Sequence, residues 1–426
     1  MRQHYITSAL YNIYLHPLSN HPGPRYLAAS RLPIAYAYFT GKATFWIKEL
    51  HDKYGPVVRV APNDISYASS DAWSDIFGNH PAYPGGMPRD PKFFSAVEDK
   101  SCIPTMLSAN NAQHTRLRRA YAVAFSKRTL LEQETMMMYN VDLLIQKLYE
   151  TKQQPTNMTN MFIFTSFDVI ANLQFGESLH LLDNMSYNPW LTAIRDYTRA
   201  SMILWALADF LLVRVTVKLF ATAGIKERAQ FFKFTDDKVK NRLSNEVNSP
   251  DFVKLVSHPS AKIKLSEEEI CANAPALMQA GSDTTAGLLS GFMAYILTTP
   301  EAFAHLSSEI RTAFKQSSEV TVDSVERLKW LDSCVKETMR IYPNPPNGPP
   351  RLVPECGAKI SGKWVVGGTR VYISPYATYR SSANFYKADS FLPQRWDREP
   401  NSCFLADCKD AFHPFSTGKR DCIGQK

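Results

Sequence analysis

Hydrophobic and polar positions along the chain follow two periods. YGPVVRVAPNDISYAS (Tyr54 to Ser69) alternates β-branched and polar residues around a break at APND, which predicts a two-stranded hairpin. From Asp71 to about Leu255 the pattern is mostly helical, joined by polar or Pro-rich connectors such as HPAYPGGMPRDP. Ser266-Glu267-Glu268-Glu269 reads as a capping box, in which the serine hydroxyl takes an amide of the first turn and Glu269 reaches back. The helix it opens is predicted to run to about Thr298, roughly 48 Å at about 1.5 Å per residue. Pro275 lies inside it and must cost a hydrogen bond or bend it. Thr299-Pro300 starts the next helix, and a further one is predicted over Val325 to Ile341, stopped by YPNPPNGPPR. Short strands follow between Ala358 and Ser374. The stretch from Thr378 to Lys426 is irregular and rich in Pro, Asp and aromatics, and so long an irregular segment in a compact chain implies a function.

Composition narrows the function classes. With 426 residues and 45% hydrophobic content, the chain can bury one large core or two ordinary ones. Its net charge of +8 is spread out rather than run together, which excludes a nucleic-acid footprint. A solvated surface with a slight positive bias explains it, and a basic face for an acidic partner or anionic lipid stays open. The seven cysteines (Cys102, Cys271, Cys334, Cys356, Cys403, Cys408 and Cys422) are odd in number and form no CxxC, which fits a reducing compartment rather than a disulfide scaffold. The apolar stretch at the N-terminus is interrupted by Asn12 and followed by His16 and Pro17, too short to span a bilayer and too polar for a signal peptide. MILWALADFLLV (Met202 to Val213) carries Asp209 and is read as a core helix ahead of a segment dipping into a membrane face. HPGP (His21 to Pro24) is a rigid turn. It divides an N-terminal stub, residues 1–24, from a single domain over 25–426.

Several constellations carry candidate chemistry. Cys422 is bracketed by Gly418 and Gly424, with Arg420 nearby and Phe415 able to cover one side. Glycines permit a tight turn with amides aimed at sulfur, and a cation lowers a thiol pKa, as a metal-binding thiolate requires. A lone cysteine in a surface turn is the plainer alternative. A zinc set of Cys403, Cys408, His413 and Cys422 matches no common spacing. In the long helix, Ala280-Gly281 offers a bare surface for a flat ligand, and Asp283-Thr284 sets an acid beside a hydroxyl. Such a pair suits proton relay, or it faces solvent and bonds to the preceding turn. Glu337 and Arg340 stand three apart and can pair on one helical face. His114 and Arg118 share a face four apart, in a segment whose arginines also suit a solvated surface. No GxSxG occurs, which leaves a serine hydrolase unsupported.

The order of these motifs resembles the cytochrome P450 family. Phe415-x-x-Gly418-x-Arg420-x-Cys422-x-Gly424 is similar to that family's haem-ligand signature, and AGSDTT (Ala280 to Thr285) to its oxygen-binding helix. KETMR and FLPQRW resemble its Glu-x-x-Arg helix and following arginine. His114 and Arg118 fall where its propionate-binding helix places Trp or His and then a basic residue. The resemblance runs from about His16 to Gly424. It implies a mainly α fold with a small β region and haem b held by Cys422. It further implies Asp283 and Thr284 as proton-managing residues, and Arg118, Arg351 and Arg420 as propionate contacts. Glu337, Arg340 and Arg395 would form a buried structural network.

The implied activity is oxygen insertion from O2 into a small apolar organic substrate, by hydroxylation or epoxidation. Electrons would come from an NADPH-dependent flavoprotein reductase. Loops such as YNIYLHPLSNHPGPR look like those of microsomal-type fungal members that oxidise secondary metabolites. By that resemblance the chain is a monomer on the cytosolic face of the endoplasmic reticulum membrane, with a peripheral contact. Substrate-lining segments are expected between Pro84 and Leu107 and in Met202 to Val213. The chain departs from the pattern at Gln394, where Glu is usual, and at Lys419, where Pro is usual. The family's helix and hairpin after the cysteine loop, and its N-terminal anchor helix, are absent from this sequence. Weak haem binding is therefore expected unless a partner completes the fold, and a fully occupied, red-shifted carbon monoxide complex would overturn that expectation. Two other readings follow: a catalytically silent homologue, and a peroxide-rearranging haem enzyme, which would have no need of Asp283-Thr284.

Overall fold

A computed structural model describes residues 2–97, 103–151, 154–186, 189–207, 210, 222–245 and 249–425. Cys102, Asp209 and parts of the two segments expected to line a substrate pocket lie outside these residues. The elements that matter below are, in chain order, α1 (Ala43–Tyr54), β1 (Val57–Ala61), β2 (Asp64–Tyr67), α2 (Asp71–Phe77), α3 (Asn111–Tyr121), α4 (Met158–Phe175), α5 (Glu267–Leu297), α6 (Lys329–Ile341), β3 (Arg351–Leu352), β4 (Ala358–Ile360), β5 (Lys363–Val365) and β6 (Arg370–Ile373). Their contacts group them into two compact units. One comprises Met1–Ala96, Ser201–Thr216 and Ser333–Cys422, and the other Val97–Ala200, Val217–Asp332 and Ile423–Lys426.

The first unit is built on a four-stranded sheet in the order β1-β2-β6-β3. β1 and β2 form the expected antiparallel hairpin, irregular between Arg59 and Ala61, and β6 joins β2 in parallel. Strand alternation sends Ile65, Tyr67, Val371 and Ile373 to one core with Trp73, Ile76 and Phe77 of α2. Val58, Val60 and Tyr372 face another with Ile47 and Leu50 of α1. Both sheet faces are thus covered, which is why β6 is buried at every position. β4 and β5 pair separately.

Two buried acids, Asp64 and Asp90, hold the sheet to the segment around Trp205. Arg370 bonds to Asp64 at 2.9 Å and to Asp90 at 2.7 Å, and Arg31 also pairs with Asp64. Both guanidiniums lie over the Trp205 ring, at 5.2 Å for Arg31 and 5.8 Å for Arg370. Trp205 and Ala206 pack with Ala35, so this part of the apolar 202–213 run is a core helix.

The second unit is helical. α4 and α5 are its centre, with Phe164, Phe167, Phe175, Ala274 and Met278 in one cluster that also takes Leu117 and Tyr121 of α3. The capping box at α5 is present: the Ser266 hydroxyl accepts the Glu269 amide at 3.2 Å, and Glu269 accepts the Ser266 amide at 3.1 Å. The helix continues through Pro275. Beside the proline, the Gln174 side chain of α4 donates to the Ala274 carbonyl at 3.0 Å.

One expected helix differs. Val325 to Ile341 is divided into a single turn, Val322–Val325, and α6 from Lys329. The cause is a second start signal. The Glu309 carboxylate accepts the amides of Trp330 and Leu331 at 2.9 and 3.0 Å, satisfying donors that a continuous helix would have bonded internally.

His51 of α1 reports on the first unit. Its Nδ1 lies 2.9 Å from the Gly55 carbonyl and its Nε2 2.8 Å from the Ser66 hydroxyl. A carbonyl only accepts, so Nδ1 carries a proton, and in the neutral ring Nε2 then accepts from the Ser66 hydroxyl. Burial pushes its pKa down to about 4. A depressed histidine adds stability above its unfolded value, and that stability is lost as pH falls toward the folded one. Between pH ~6.5 and ~4 the protein is expected to lose about 3 kcal/mol more unfolding free energy than His51→Gln does. Urea titrations across that range measure the difference.

Candidate active site

The cysteine loop is shaped within the first unit. The Cys422 amide donates to the Phe415 carbonyl at 2.9 Å and the Asp421 amide to Gly418 at 3.2 Å, closing the tight turn that the glycines allow. Gly418 has φ +80°, and a Cβ there would lie 2.1 Å from the Phe77 carbonyl oxygen. No side chain fits at that position. Upstream, the Trp73 indole donates to the Ala411 carbonyl at 3.1 Å, and its ring lies 5.2 Å from that of His413. α2 is therefore the bed of the loop, a role no motif announced. Cys422 itself is exposed.

Arg351 and Arg420 are the anion-seeking groups of this unit. Arg351 is buried, donates to the Met87 carbonyl at 3.1 Å and lies 5.0 Å from the Phe77 ring. Its Nε has no hydrogen-bond partner among the described residues. Burial, then the nearby Arg420 charge, lowers its pKa to about 10, and burial lowers that of Arg420. A guanidinium short of water, next to a second cation and without a carboxylate, is stabilised by an anion. A haem propionate is such an anion, so the residues present fit the group.

The loop hangs from a buried ionic cluster. Glu337, wholly buried in α6, accepts from Arg340 at 2.9 and 2.8 Å and from Arg395 at 3.1 Å. It also accepts the Trp396 indole and the Leu392 amide, each at 2.9 Å. Arg340 turns its remaining donors to the carbonyls of Tyr379, Ala388 and Ser390 at 2.7, 2.6 and 2.9 Å. Arg395 reaches the Tyr386 carbonyl at 2.9 Å and pairs with buried Asp407. The Tyr379 hydroxyl accepts the His413 amide at 3.1 Å, two residues before Phe415. The three residues expected in this network are brought together. Asp407, Trp396 and Tyr379 are further members that the sequence did not reveal: Trp396 ends the FLPQRW stretch and Tyr379 a short helix, but no spacing announced their contacts, and Asp407 lies in irregular backbone.

In the second unit, α5 places Asp283 and Thr284 partly buried, halfway along its length. The Thr284 hydroxyl donates to the Ala280 carbonyl at 2.6 Å, and Ser282 and Thr285 bond back to Met278 and Gly281, each at 2.8 Å. Of the two roles weighed for the threonine, the bond to the preceding turn is present. It leaves the oxygen lone pairs able to accept. Gly281 has a packing reason beyond a bare face: an added Cβ would lie 2.7 Å from Cδ1 of Ile170 in α4. His114 is buried and Arg118 partly buried on α3, whose N-cap Asn110 accepts the Gln113 amide at 3.0 Å. Gly424 follows Ile423, which packs on the helical cluster.

The cytochrome P450 family model matches residues 34–426. The chain belongs to the cytochrome P450 family. It is 38% identical over 424 residues to the cytochrome P450 monooxygenase aneG of Aspergillus aculeatus, covering 99% of this chain and 80% of that relative. It is 36% identical to the monooxygenase astJ of Aspergillus oryzae, covering 98% and 84%. To the averantin hydroxylase of Aspergillus parasiticus it is 34% identical, covering 98% and 84%. A crystal structure of the cytochrome P450DA haem domain shares the fold, with TM-score 0.73 and 19% identity over 90% of this chain and 83% of that one. As a P450, the chain is an oxidoreductase whose cofactor is haem b, and its mainly helical fold with a small sheet region is that of the family.

Two outcomes follow from this geometry. Glu337→Ala leaves two buried guanidiniums without their shared carboxylate and is expected to cost about 3–5 kcal/mol, read from the denaturant midpoint. Arg351→Gln removes a buried cation that fits a propionate, and a charge-assisted bond of that kind is worth about 1.5–3 kcal/mol. It should speed haem loss to an apo-globin acceptor by about tenfold or more while the fold is kept.

Proposed function

We propose that this P450 inserts one oxygen atom from O2 into a small apolar organic substrate, by hydroxylation or epoxidation, in fungal secondary metabolism. Electrons are supplied by an NADPH-dependent flavoprotein reductase. The observation that carries this reading is the co-occurrence of the Cys422 loop, seated by Gly418 against the Phe77 carbonyl, with an acid–hydroxyl pair at Asp283-Thr284. The names of the relatives, two monooxygenases and a hydroxylase, support it.

When bound, haem would supply the oxygen activation, with the Cys422 thiolate holding it. This chain's residues divide the remaining work. Cys422 is the ligand, and its turn is held by the Phe415 carbonyl and by Gly418. Arg351 and Arg420 are the propionate contacts proposed in the first unit, and the family resemblance assigns the same task to His114 and Arg118 of the second. Ala280 and Gly281 keep side-chain bulk off one stretch of α5. The Thr284 hydroxyl, donating to Ala280, presents its lone pairs to an incoming proton, and Asp283 exchanges that proton with water. The peroxide-rearranging reading is less well supported, because it gives this pair no task.

Arg118 and its basic neighbours are the proposed contact for the reductase. Among the described residues no helix is long and apolar enough to cross a membrane. Ile6, Leu10, Tyr14, Leu15, Tyr36 and Phe39 are nonetheless exposed on the N-terminal elements of the first unit. This apolar band supports a peripheral contact of a monomer with the endoplasmic reticulum membrane.

The carbon monoxide spectrum and NADPH-driven turnover test the assignment. The haem-bearing fraction should show the red-shifted Soret band of thiolate ligation, and Cys422→Ser should abolish it. Thr284→Ala should keep the band yet lower product formed per NADPH consumed, by on the order of 10²-fold. Turnover that needs no NADPH, or Thr284→Ala with unchanged coupling, would overturn the proposed reaction.

A further inference from the structure

The HPGP turn is packed against β1 with little tolerance. A Cβ at Gly23 would lie 2.5 Å from the Arg59 carbonyl oxygen, and the Arg59 amide donates to the Pro22 carbonyl at 2.7 Å. Beside this contact lies a cavity of about 330 Å³, whose polar walls come from Tyr14, Ser19, Asn20, His21, Arg25 and Arg59. Its lining contains no carboxylate. None of these residues takes part in the haem site.

Two of the walls are short of an acceptor. Arg59 is 2% exposed, and among the described residues its guanidinium donates only to backbone carbonyls: to Asn12 at 2.8 Å, and to Pro62 at 2.6 and 3.1 Å. Burial lowers its pKa to about 10. These bonds use three of the five guanidinium hydrogens, and carbonyl partners leave the buried charge uncompensated. His21 is half-buried, and neither ring nitrogen completes a hydrogen bond although both are shielded from water. The Leu18 carbonyl favours the protonated ring. Burial, then Lys363 and Arg59, outweigh it and hold the pKa below the usual histidine value. Arg25 guards the exposed side, 5.8 Å from the Tyr14 ring centre.

We infer that this cavity binds a phosphate group. A phosphate oxyanion gives Arg59 its counter-charge, His21 its acceptor, and Ser19, Asn20 and Arg25 a shared partner. The surroundings favour the phosphate of a phospholipid headgroup over free phosphate. Tyr14, which lines the cavity, is 58% exposed, and Ile6, Leu10, Tyr11, Leu15 and Tyr26 of the same N-terminal elements are exposed with it. Aromatic and aliphatic side chains next to a cationic pocket match the order of acyl chain and headgroup in a leaflet.

The full chain is tested with inorganic phosphate by calorimetry, and by co-sedimentation with phosphatidylcholine vesicles, with and without phosphatidic acid. The variants are Arg25→Gln, at an exposed position, and His21→Leu. Arg59 is left intact because it also bonds the backbone. Phosphatidic acid is expected to raise binding by about fivefold or more. Both variants should lose that gain while keeping the binding to phosphatidylcholine alone, and free phosphate should compete for it. A neutral His21 contributes no net charge, so loss of the preference in His21→Leu reports the cavity and not the general positive field. Phosphate binding without a vesicle preference keeps the oxyanion site and assigns it to soluble phosphate. No phosphate binding together with no preference, or a preference that survives His21→Leu, overturns the proposal.

Discussion

Glu337 is a carboxylate without water, and most of the cysteine unit is arranged around the need to compensate it. Two guanidiniums, an indole and a backbone amide converge on its two oxygens. Each arginine then has donors left over, which in a dry interior must be satisfied or cost about 1–3 kcal/mol apiece. They are satisfied by carbonyls of the irregular segment after β6, at Tyr379, Tyr386, Ala388 and Ser390. That segment has little regular backbone pairing of its own, so the arginines supply the partners that a helix or sheet would have provided. Tyr379 passes the order on, with its carbonyl on Arg340 and its hydroxyl on the His413 amide. The position of Cys422 is in this sense a consequence of where one buried acid finds its cations.

What could be read beforehand was whatever is local in sequence. The capping box at Ser266, the hairpin around Pro62-Asn63 and the Glu337–Arg340 pair each depend on residues within a few positions of one another, and all are present. Arg395 could be joined to them only through the family resemblance. Asp407 carried no signal at all, because an acid in an aspartate-rich loop is ordinarily solvated. The division of the helix at Lys329 was hidden for the same reason: Glu309, which caps it, lies on another helix. Gly281 was legible as a bare position, but the atom that requires it, Ile170 Cδ1, could not be named from sequence spacing.

The arginines of the first unit show how burial gives one residue type different tasks. Arg31 and Arg370 are closed by Asp64 and Asp90 and stacked on Trp205, and they act as structural rivets. Arg340 and Arg395 share Glu337 and organise a loop. Arg59 and Arg351 are equally buried but bond only to carbonyls. For these two the protein has met the cost of removing a cation from water without supplying the compensating charge itself. A fold keeps such an arrangement where the balancing charge arrives with a ligand.

The contact between α2 and the cysteine loop also bears on how the protein is made. Trp73 and Ala411 are hydrogen-bonded across 338 intervening steps of sequence, and Gly418 meets the carbonyl of Phe77 with no room for a side chain. Closing so long a stretch is entropically costly and slow compared with forming any helix of the chain. The bed of the loop is therefore synthesised 338 positions ahead of the Ala411 carbonyl that it holds. Until that partner arrives, the apolar face of α2 is exposed surface of the kind that chaperones cover.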